Sequence, residues 1–423
     1  MNRVVVMSGL RTPFLRANTH FQDVKGFELL RHALIATVNK VDQLDKNDVN
    51  YVVAGQTFQT GNSNVARDSV ITAGFDVRKT VAHTVTQACI SANQAITSVA
   101  TLIATNQIDC GIGCGVESLS DPPIRVTKAL RRWLLDMNKV RTTSQRLRML
   151  VKLRPSMVFG FEAPPIAEFT TDETMGQSCD RVTAAFKVSR EEQDRFGVRS
   201  HQMAGEAQKA GHLADVSPIL VSKIGLVDKD NGIRSATYDS VAKLKPAFTK
   251  TGTATASNSS YLTDGASATL LMSERKAKSL GLKPQIYIKD YIYVAIDPKE
   301  HLLLGPAHAI TKLLKKNNLT FKDIDAFELH EAFSGQVLAN LKAMDSEEYS
   351  RTKIGTEKAG LIPMDRLNTW GGSVSLGHPF GATGSRLVNM AANRLLESGG
   401  KYAMIAACAG GALGHAMILE NCS

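Results

Sequence analysis

The chain has 423 residues, 43% of them hydrophobic and 21% charged, an ordinary globular composition that excludes a disordered polymer and has room for two or three domains. No stretch reaches the roughly 18 apolar residues of a membrane span, and six scattered cysteines exclude a disulfide scaffold, leaving reduced thiols in a reducing compartment. The net charge of +10 is concentrated: residues 125–154 carry ten Lys/Arg against the single acid Asp136, a local excess of +9, and a patch this local with only Trp133 as an aromatic argues against nucleic acid.

In chain order, Val4 to Met7 and Tyr51 to Ala54 read as β-branched strands on either side of the helical-period stretch Phe27 to Val41, the alternation of a layered α/β domain. Met1 runs almost directly into the first strand, so no targeting pattern is visible, as in a chain whose presequence has been cleaved. The C-terminal Asn421-Cys422-Ser423 is no peroxisomal tripeptide. After Cys89 in TQACISANQAI comes SANQAITSVATLIA, whose small residues and period suit a buried helix, and then the strand IDCGIGCGVES. Cys110 and Cys114 in that strand resemble half of a zinc ligand set, but no second pair completes it.

Residues 121–244 break the alternation with the basic stretch, Pro155, Pro164 and Pro165, and a helical run at Ser189 to Lys209, and read as an inserted domain covering the substrate. Within it Val126, Leu130, Trp133, Leu134 and Met137 fall on one helical face and Arg125, Lys128, Arg132 and Lys139 on another. Three readings of this cationic amphipathic segment stand open: a solvated face packed on its own core, a docking surface for an acidic partner, and an interfacial helix on anionic lipid. Near the C-terminus the loop GHPFGATG leads into the helix SRLVNMAANRLLESGG, stopped by Gly399 and Gly400, and then the strand-like KYAMIAACAGGALGHAMILE. Loop, small-residue helix and strand thus recur, which predicts two duplicated α/β halves facing each other across one site. The expected domains are residues 1–120 completed by about 245–275, the insertion 121–244, and 276–423.

Four segments carry groups suited to chemistry. Cys89 precedes a helix, where backbone N–H groups and the helix dipole are expected to lower the thiol pKa. His378 stands among Gly372, Gly377, Gly381 and Gly384, as a base presented from a tight loop would. A thiol beside an imidazole is a common way of generating thiolate. Cys408, followed by Ala409, Gly410 and Gly411, brings a second thiol and bare backbone N–H groups, and His330 lies between in ELHEAF. Neither GHPFGATG nor GIGCG has the spacing of an ATP or dinucleotide loop.

QACISANQA, LKPAFTKTGTATASNSSYLTDGASA, HEAF, GHPFGATG and CAGGALGHAMILE resemble, in this order, the thiolase family along nearly the whole chain. HEAF in place of the commoner NEAF, the basic insertion, and LLLGP at 302–306 are similar to the thiolase subunit of a mitochondrial fatty-acid oxidation complex. The resemblance implies a thiolase fold and CoA-dependent cleavage of 3-ketoacyl-CoA in fatty acid β-oxidation, with CoA as cosubstrate and neither metal nor bound cofactor. It assigns Cys89 as the acylated nucleophile, His378 as its base and Cys408 as the acid/base that protonates the departing acetyl-CoA carbanion. His330 with His378 would form one oxyanion hole, His330 standing where the family usually has an Asn that holds a water, and the backbone N–H groups of Cys89 and Gly410 the other. Ser260 would bond the pantetheine, with Met175 and Phe248 beside the acyl thioester, although Ser257 replaces the usual glycine of that loop. Further implications are a homodimeric core, a partner α-subunit with hydratase and dehydrogenase activities, an anionic membrane surface met through 125–154, and a location in the mitochondrial matrix, free or associated with the inner membrane, or in the cytoplasm of a bacterium. The rival readings are acetoacetyl-CoA synthesis by Claisen condensation and a non-enzymatic scaffold or lipid carrier, the second disfavoured by the intact Cys89, His378 and Cys408.

Overall fold

A computed structural model describes residues 2–58, 63–164 and 166–423; Pro165 lies outside the described residues. Nine strands form the spine of the main sheet: β1 (Val4–Arg11), β2 (Tyr51–Gly55), β3 (Val81–Val85), β4 (Cys110–Glu117), β5 (Thr263–Ser273), β6 (Ile286–Ala295), β7 (Ala326–Leu329), β8 (Tyr402–Ala409) and β9 (Leu413–Asn421). Their spatial order is β7-β8-β9-β6-β1-β5-β4-β2-β3, and Leu15–Arg16 pairs with β5 off this path. The run KYAMIAACAGGALGHAMILE, read from sequence as one strand, is therefore a hairpin whose turn contains Gly411 and Ala412 at φ 81° and 56°.

The expected duplication is visible in strand directions. In the first half β1 pairs antiparallel with β5, β5 antiparallel with β4, and β4 parallel with β2. In the second, β6 pairs antiparallel with β9, β9 antiparallel with β8, and β8 parallel with β7. The two meet where Val5 and Val6 of β1 pair with Tyr287 and Ile286 of β6.

The helices that position the site are α1 (Gly26–Asn39), α2 (Ser91–Ala104), α3 (Lys128–Lys139), α4 (Thr143–Val151), α5 (Met175–Ala185), α6 (Arg190–Ala210), α7 (Gly305–Asn317) and α8 (Thr383–Ser398). Outer helix α1 packs on the first half and α7 on the second, each over its own hydrophobic core. Between the halves, α2 and α8 share a third core through Ile96, Val99, Ile103, Leu387, Val388, Ala391 and Leu395. The glycines of CGIGCG allow this close packing: a Cβ on Gly113 would lie 2.5 Å from the Cα of Ile96, so only a bare backbone lets α2 lie on β4.

The inserted region divides in two. Val182, Val188 and Phe196 join the core of the second half, and Ile219, Val221 and Val227 join that of the first. Arg11 of β1, fully buried, fastens the region by ion pairs to Asp215 (2.9 Å) and Asp230 (2.7 Å). By contrast, α3 and α4 bury no residue. The predicted stripe of Val126, Leu130, Trp133 and Met137 is half-buried, Leu134 is exposed, and the indole Nε1 of Trp133 donates to the Met149 carbonyl of α4 at 2.8 Å. Around this pair Leu135, Leu147, Val151, Phe159, Phe161 and Phe169 stand exposed. Among the described residues no helix is long and apolar enough to cross a membrane.

Candidate active site

Cys89 lies at the entry to α2, after Ala88, whose φ of 47° is left-handed and unfavourable for a residue with a Cβ. The strained turn is held by its carbonyl, which accepts hydrogen bonds from Ser91 Oγ (2.7 Å), Thr57 Oγ1 (3.1 Å) and Ser91 N (3.1 Å). His378 is presented from the loop before α8. Gly377 precedes it at φ 104°, where a Cβ would also press on Thr263 at 2.8 Å, so glycine is required there. The N–H of His378 donates to Thr263 Oγ1 (2.9 Å). His330 follows β7 and extends the parallel pairing by donating its N–H to the Ala406 carbonyl of β8 (2.8 Å).

These separate elements converge. The His330 and His378 ring centroids lie 4.1 Å apart, and Cys89 Sγ and one nitrogen from each imidazole all fall within 4.8 Å of one another. Such a soft donor set suits a thiol–imidazole couple and could also receive a thiophilic cation. Backbone N–H groups of Gly410 and of Cys89 itself point at the sulfur. Cys408 lies buried at the end of β8, close enough to Cys89 for a charge there to raise the Cys408 thiol.

Electrostatics differ from the expectation at Cys89. Burial pushes its thiol up to about 12, against the opposing N–H groups of Gly410 and Cys89. The expected lowering by the helix start is therefore overturned: desolvation of a thiolate outweighs a helix terminus and two amide dipoles. Burial also raises the Cys408 thiol and holds His378 down at about 3 and His330 well below the usual imidazole range, the latter with help from His378 and Arg386. At neutral pH the resting site consists of uncharged thiols and uncharged imidazoles.

Hydroxyl groups fix the orientation of the rings. His378 Nδ1 lies 2.7 Å from Thr383 Oγ1, which itself donates to the Pro379 carbonyl (3.0 Å). With its hydrogen so used, the threonine oxygen accepts from Nδ1–H, leaving the Nε2 lone pair as the basic face. Among the described residues, neither His378 Nε2 nor His330 Nε2, both buried, has a hydrogen-bond partner.

The expected substrate contacts gather nearby. Ser260 donates its N–H to the Ala332 carbonyl (3.0 Å), two residues before Leu262, which bridges to His378. Met175, the first residue of α5, packs against the cluster containing Cys408 and Phe333, and Phe248 meets Phe333 edge-on at 5.7 Å.

Sequence reasoning missed Glu117 at the end of β4, a fully buried carboxyl raised to about 7 by burial. It accepts from the N–H groups of Thr57 (3.0 Å), Phe58 (3.0 Å) and Gly381 (2.9 Å), tying the turn beside Cys89 to the His378 loop. The signal was present, as a lone acid closing an otherwise apolar strand.

Residues 4–275 match the family "Thiolase, N-terminal domain" and residues 282–421 "Thiolase, C-terminal domain". The chain is 52% identical to the mitochondrial trifunctional enzyme subunit beta of Rattus norvegicus over 423 residues, covering 99% of this chain and 88% of that protein. It is 47% identical to a probable 3-ketoacyl-CoA thiolase of Caenorhabditis elegans, covering 99% and 94%. Its fold superposes on human mitochondrial 3-ketoacyl-CoA thiolase with a TM-score of 0.85 at 27% identity, and on Bacillus anthracis acetyl-CoA acetyltransferase with 0.83 at 29%, each alignment covering 100% of this chain and 99% of the other.

Proposed function

The chain belongs to the thiolase family, and from that premise we propose that it is a 3-ketoacyl-CoA thiolase of fatty acid β-oxidation, an acyltransferase working through an acyl-Cys89 intermediate. The observation that carries this reading is the meeting of Cys89 Sγ with two imidazoles inside 4.8 Å in a chain 52% identical to a trifunctional enzyme subunit beta.

The chemistry follows from a resting site without charge. Because burial disfavours a free thiolate at Cys89, its proton passes to His378 Nε2 as the sulfur attacks the 3-keto carbon. The oxyanion so formed is received by the N–H groups of Cys89 and Gly410. The bond between C2 and C3 then breaks, its electron pair moving into the enolate of acetyl-CoA, whose oxygen faces His330 and protonated His378. Cys408 gives its proton to C2, acetyl-CoA leaves, and the shortened acyl group remains on Cys89 as a thioester. CoA enters as cosubstrate and yields its thiol proton to the Cys408 thiolate. It takes the acyl group, and Cys89 recovers its proton from His378. Ser260 would hold the pantetheine, with Met175 and Phe248 beside the acyl thioester.

The names of the relatives support a mitochondrial location and an α-subunit partner; a homodimeric core, and hydratase and dehydrogenase activities on that partner, follow from the family resemblance alone. For the region 125–154 the reading adopted is an anionic membrane surface, supported by its ten cations and exposed apolar side chains. Likeness to an acetyl-CoA acetyltransferase favours a second reading, the short-chain reaction with acetoacetyl-CoA. The test is thiolysis of 3-ketohexadecanoyl-CoA beside acetoacetyl-CoA, following loss of the ketoacyl enolate, with Cys89→Ala as blank. Faster long-chain cleavage abolished by the substitution supports the proposal, and preference for acetoacetyl-CoA supports the second reading.

A further inference from the structure

We propose that Ser373 and Arg386 are positioning residues that hold His330 as its Nε2–H tautomer, making it a hydrogen-bond donor toward Cys89 while His378, held the opposite way by Thr383, is an acceptor. The donor role at an enolate oxygen rests on the thiolase reading; the tautomer itself does not.

The guanidinium of Arg386 can only donate. Its Nη2 donates to Ser373 Oγ at 2.7 Å, and the same oxygen lies 2.9 Å from His330 Nδ1. Ser373, Arg386 and His330 are all fully buried. If Nδ1 carried the ring proton, Ser373 would accept from both neighbours and its own hydrogen would point nowhere, since among the described residues its hydroxyl has no third partner. With Ser373 accepting from Arg386 and donating to Nδ1, the hydroxyl both accepts and donates, and no hydrogen is stranded at Ser373. The ring proton then resides on Nε2, the buried nitrogen that has no partner among the described residues. Arg386 is held beside Glu328, whose Oε2 lies 3.7 Å from Nη1. The other oxygen of that buried carboxylate accepts from Arg394 Nη1 at 2.6 Å, so a chain of buried charges fixes the direction of the relay.

Two imidazoles 4.1 Å apart thus have opposite polarity, imposed by two hydroxyls that differ in one respect. Thr383 spends its hydrogen on a carbonyl and accepts from His378, whereas Ser373 accepts from an arginine and donates to His330. A neutral His330 in the other tautomer would turn a lone pair toward the site and repel a developing oxyanion. Burial and the neighbouring His378 and Arg386 keep the ring neutral, so its tautomer decides whether it stabilises or opposes that charge.

The experiment combines long-range proton–nitrogen spectra of the 15N-histidine-labelled protein with kinetics of Ser373→Ala. The His330 resonances are assigned by their loss in His330→Asn. The proposal predicts a proton on Nε2 of His330 in the wild-type protein and a mixture of tautomers in Ser373→Ala. It also predicts a kcat lower by about tenfold or more with KM changed by less than about twofold. In the His330→Asn background, whose amide donates without help, Ser373→Ala should cost nothing further. A wild-type His330 protonated on Nδ1 overturns the proposal without any variant, as does an equal loss in both backgrounds. Absence of thiolysis in the wild type would instead defeat the thiolase reading, while the spectra still decide the tautomer.

Discussion

Replacing Thr383 with valine removes the oxygen that accepts from His378 Nδ1–H at 2.7 Å while keeping the branched shape. The Pro379 carbonyl still accepts from the Thr383 and Ala382 backbone N–H groups, so the loss falls on the imidazole. Leaving a buried donor without a partner costs about 1–3 kcal/mol. Relief of that cost comes from ring rotation or the other tautomer, either of which withdraws the Nε2 lone pair from Cys89. If the whole cost is expressed in the transition state, kcat falls by about 5- to 150-fold, at about 1.4 kcal/mol per factor of ten. Steady-state thiolysis measures it, with circular dichroism to confirm folding and Thr383→Ser, which keeps the hydroxyl, as the control expected to retain most of the rate. A folded Thr383→Val enzyme with wild-type kcat would refute the assignment of Thr383 as the group that orients the base.

Three further outcomes are expected. Gly384→Ala puts a Cβ 2.2 Å from Asn93 Oδ1 and 2.6 Å from its backbone nitrogen, forcing α2 and α8 apart, so urea denaturation should show a loss of about 1–3 kcal/mol or more, and an unchanged midpoint would contradict the packing. His378, held at about 3 when folded and near 6.5 when unfolded, binds fewer protons in the native state, so its contribution is complete above pH 6.5 and is lost as pH falls toward 3. Between pH 7.5 and 5 that is about 2 kcal/mol, and His378→Asn should lose that much less than the wild type over the same interval in paired urea titrations. Vesicles containing anionic lipid should sediment the protein and zwitterionic vesicles should not, since each of the ten Lys/Arg of 125–154 contributes about 1 kcal/mol near an anionic surface. Equal sedimentation with both would remove the membrane reading.

Local patterns carried much of this fold. The helical period after Cys89 and after GHPFGATG located α2 and α8, and the recurrence of loop, helix and strand anticipated the matching strand orders of the two halves. Cys89, His330, His378 and Cys408 could be singled out because each stands in a segment whose glycines or small residues serve close approach. What remained hidden depends on groups distant in sequence. Ser373 and Thr383 are ordinary hydroxyls in a glycine-rich run until Arg386 and Pro379 give their hydrogen bonds a direction. Arg386 lies on a helix face that sequence alone would expose, and only its buried partner Glu328 explains it. The thiol of Cys89 departs from the expectation because a helix start is a local feature, whereas the desolvation that outweighs it comes from the core shared by both halves, against which Cys89 is partly buried. In the basic segment, the apolar stripe was legible but its partner, a second helix at Thr143–Val151 contacted by Trp133, was not.

The most direct measurement is intact-mass and peptide analysis of the protein after incubation with 3-ketohexadecanoyl-CoA in the absence of free CoA. The account predicts release of acetyl-CoA, with a tetradecanoyl thioester on the peptide containing Cys89, discharged on addition of CoA and absent from Cys89→Ala. An acyl group on Cys408 or any other residue, or no acyl-enzyme during active turnover, would contradict the assignment of Cys89 as the nucleophile.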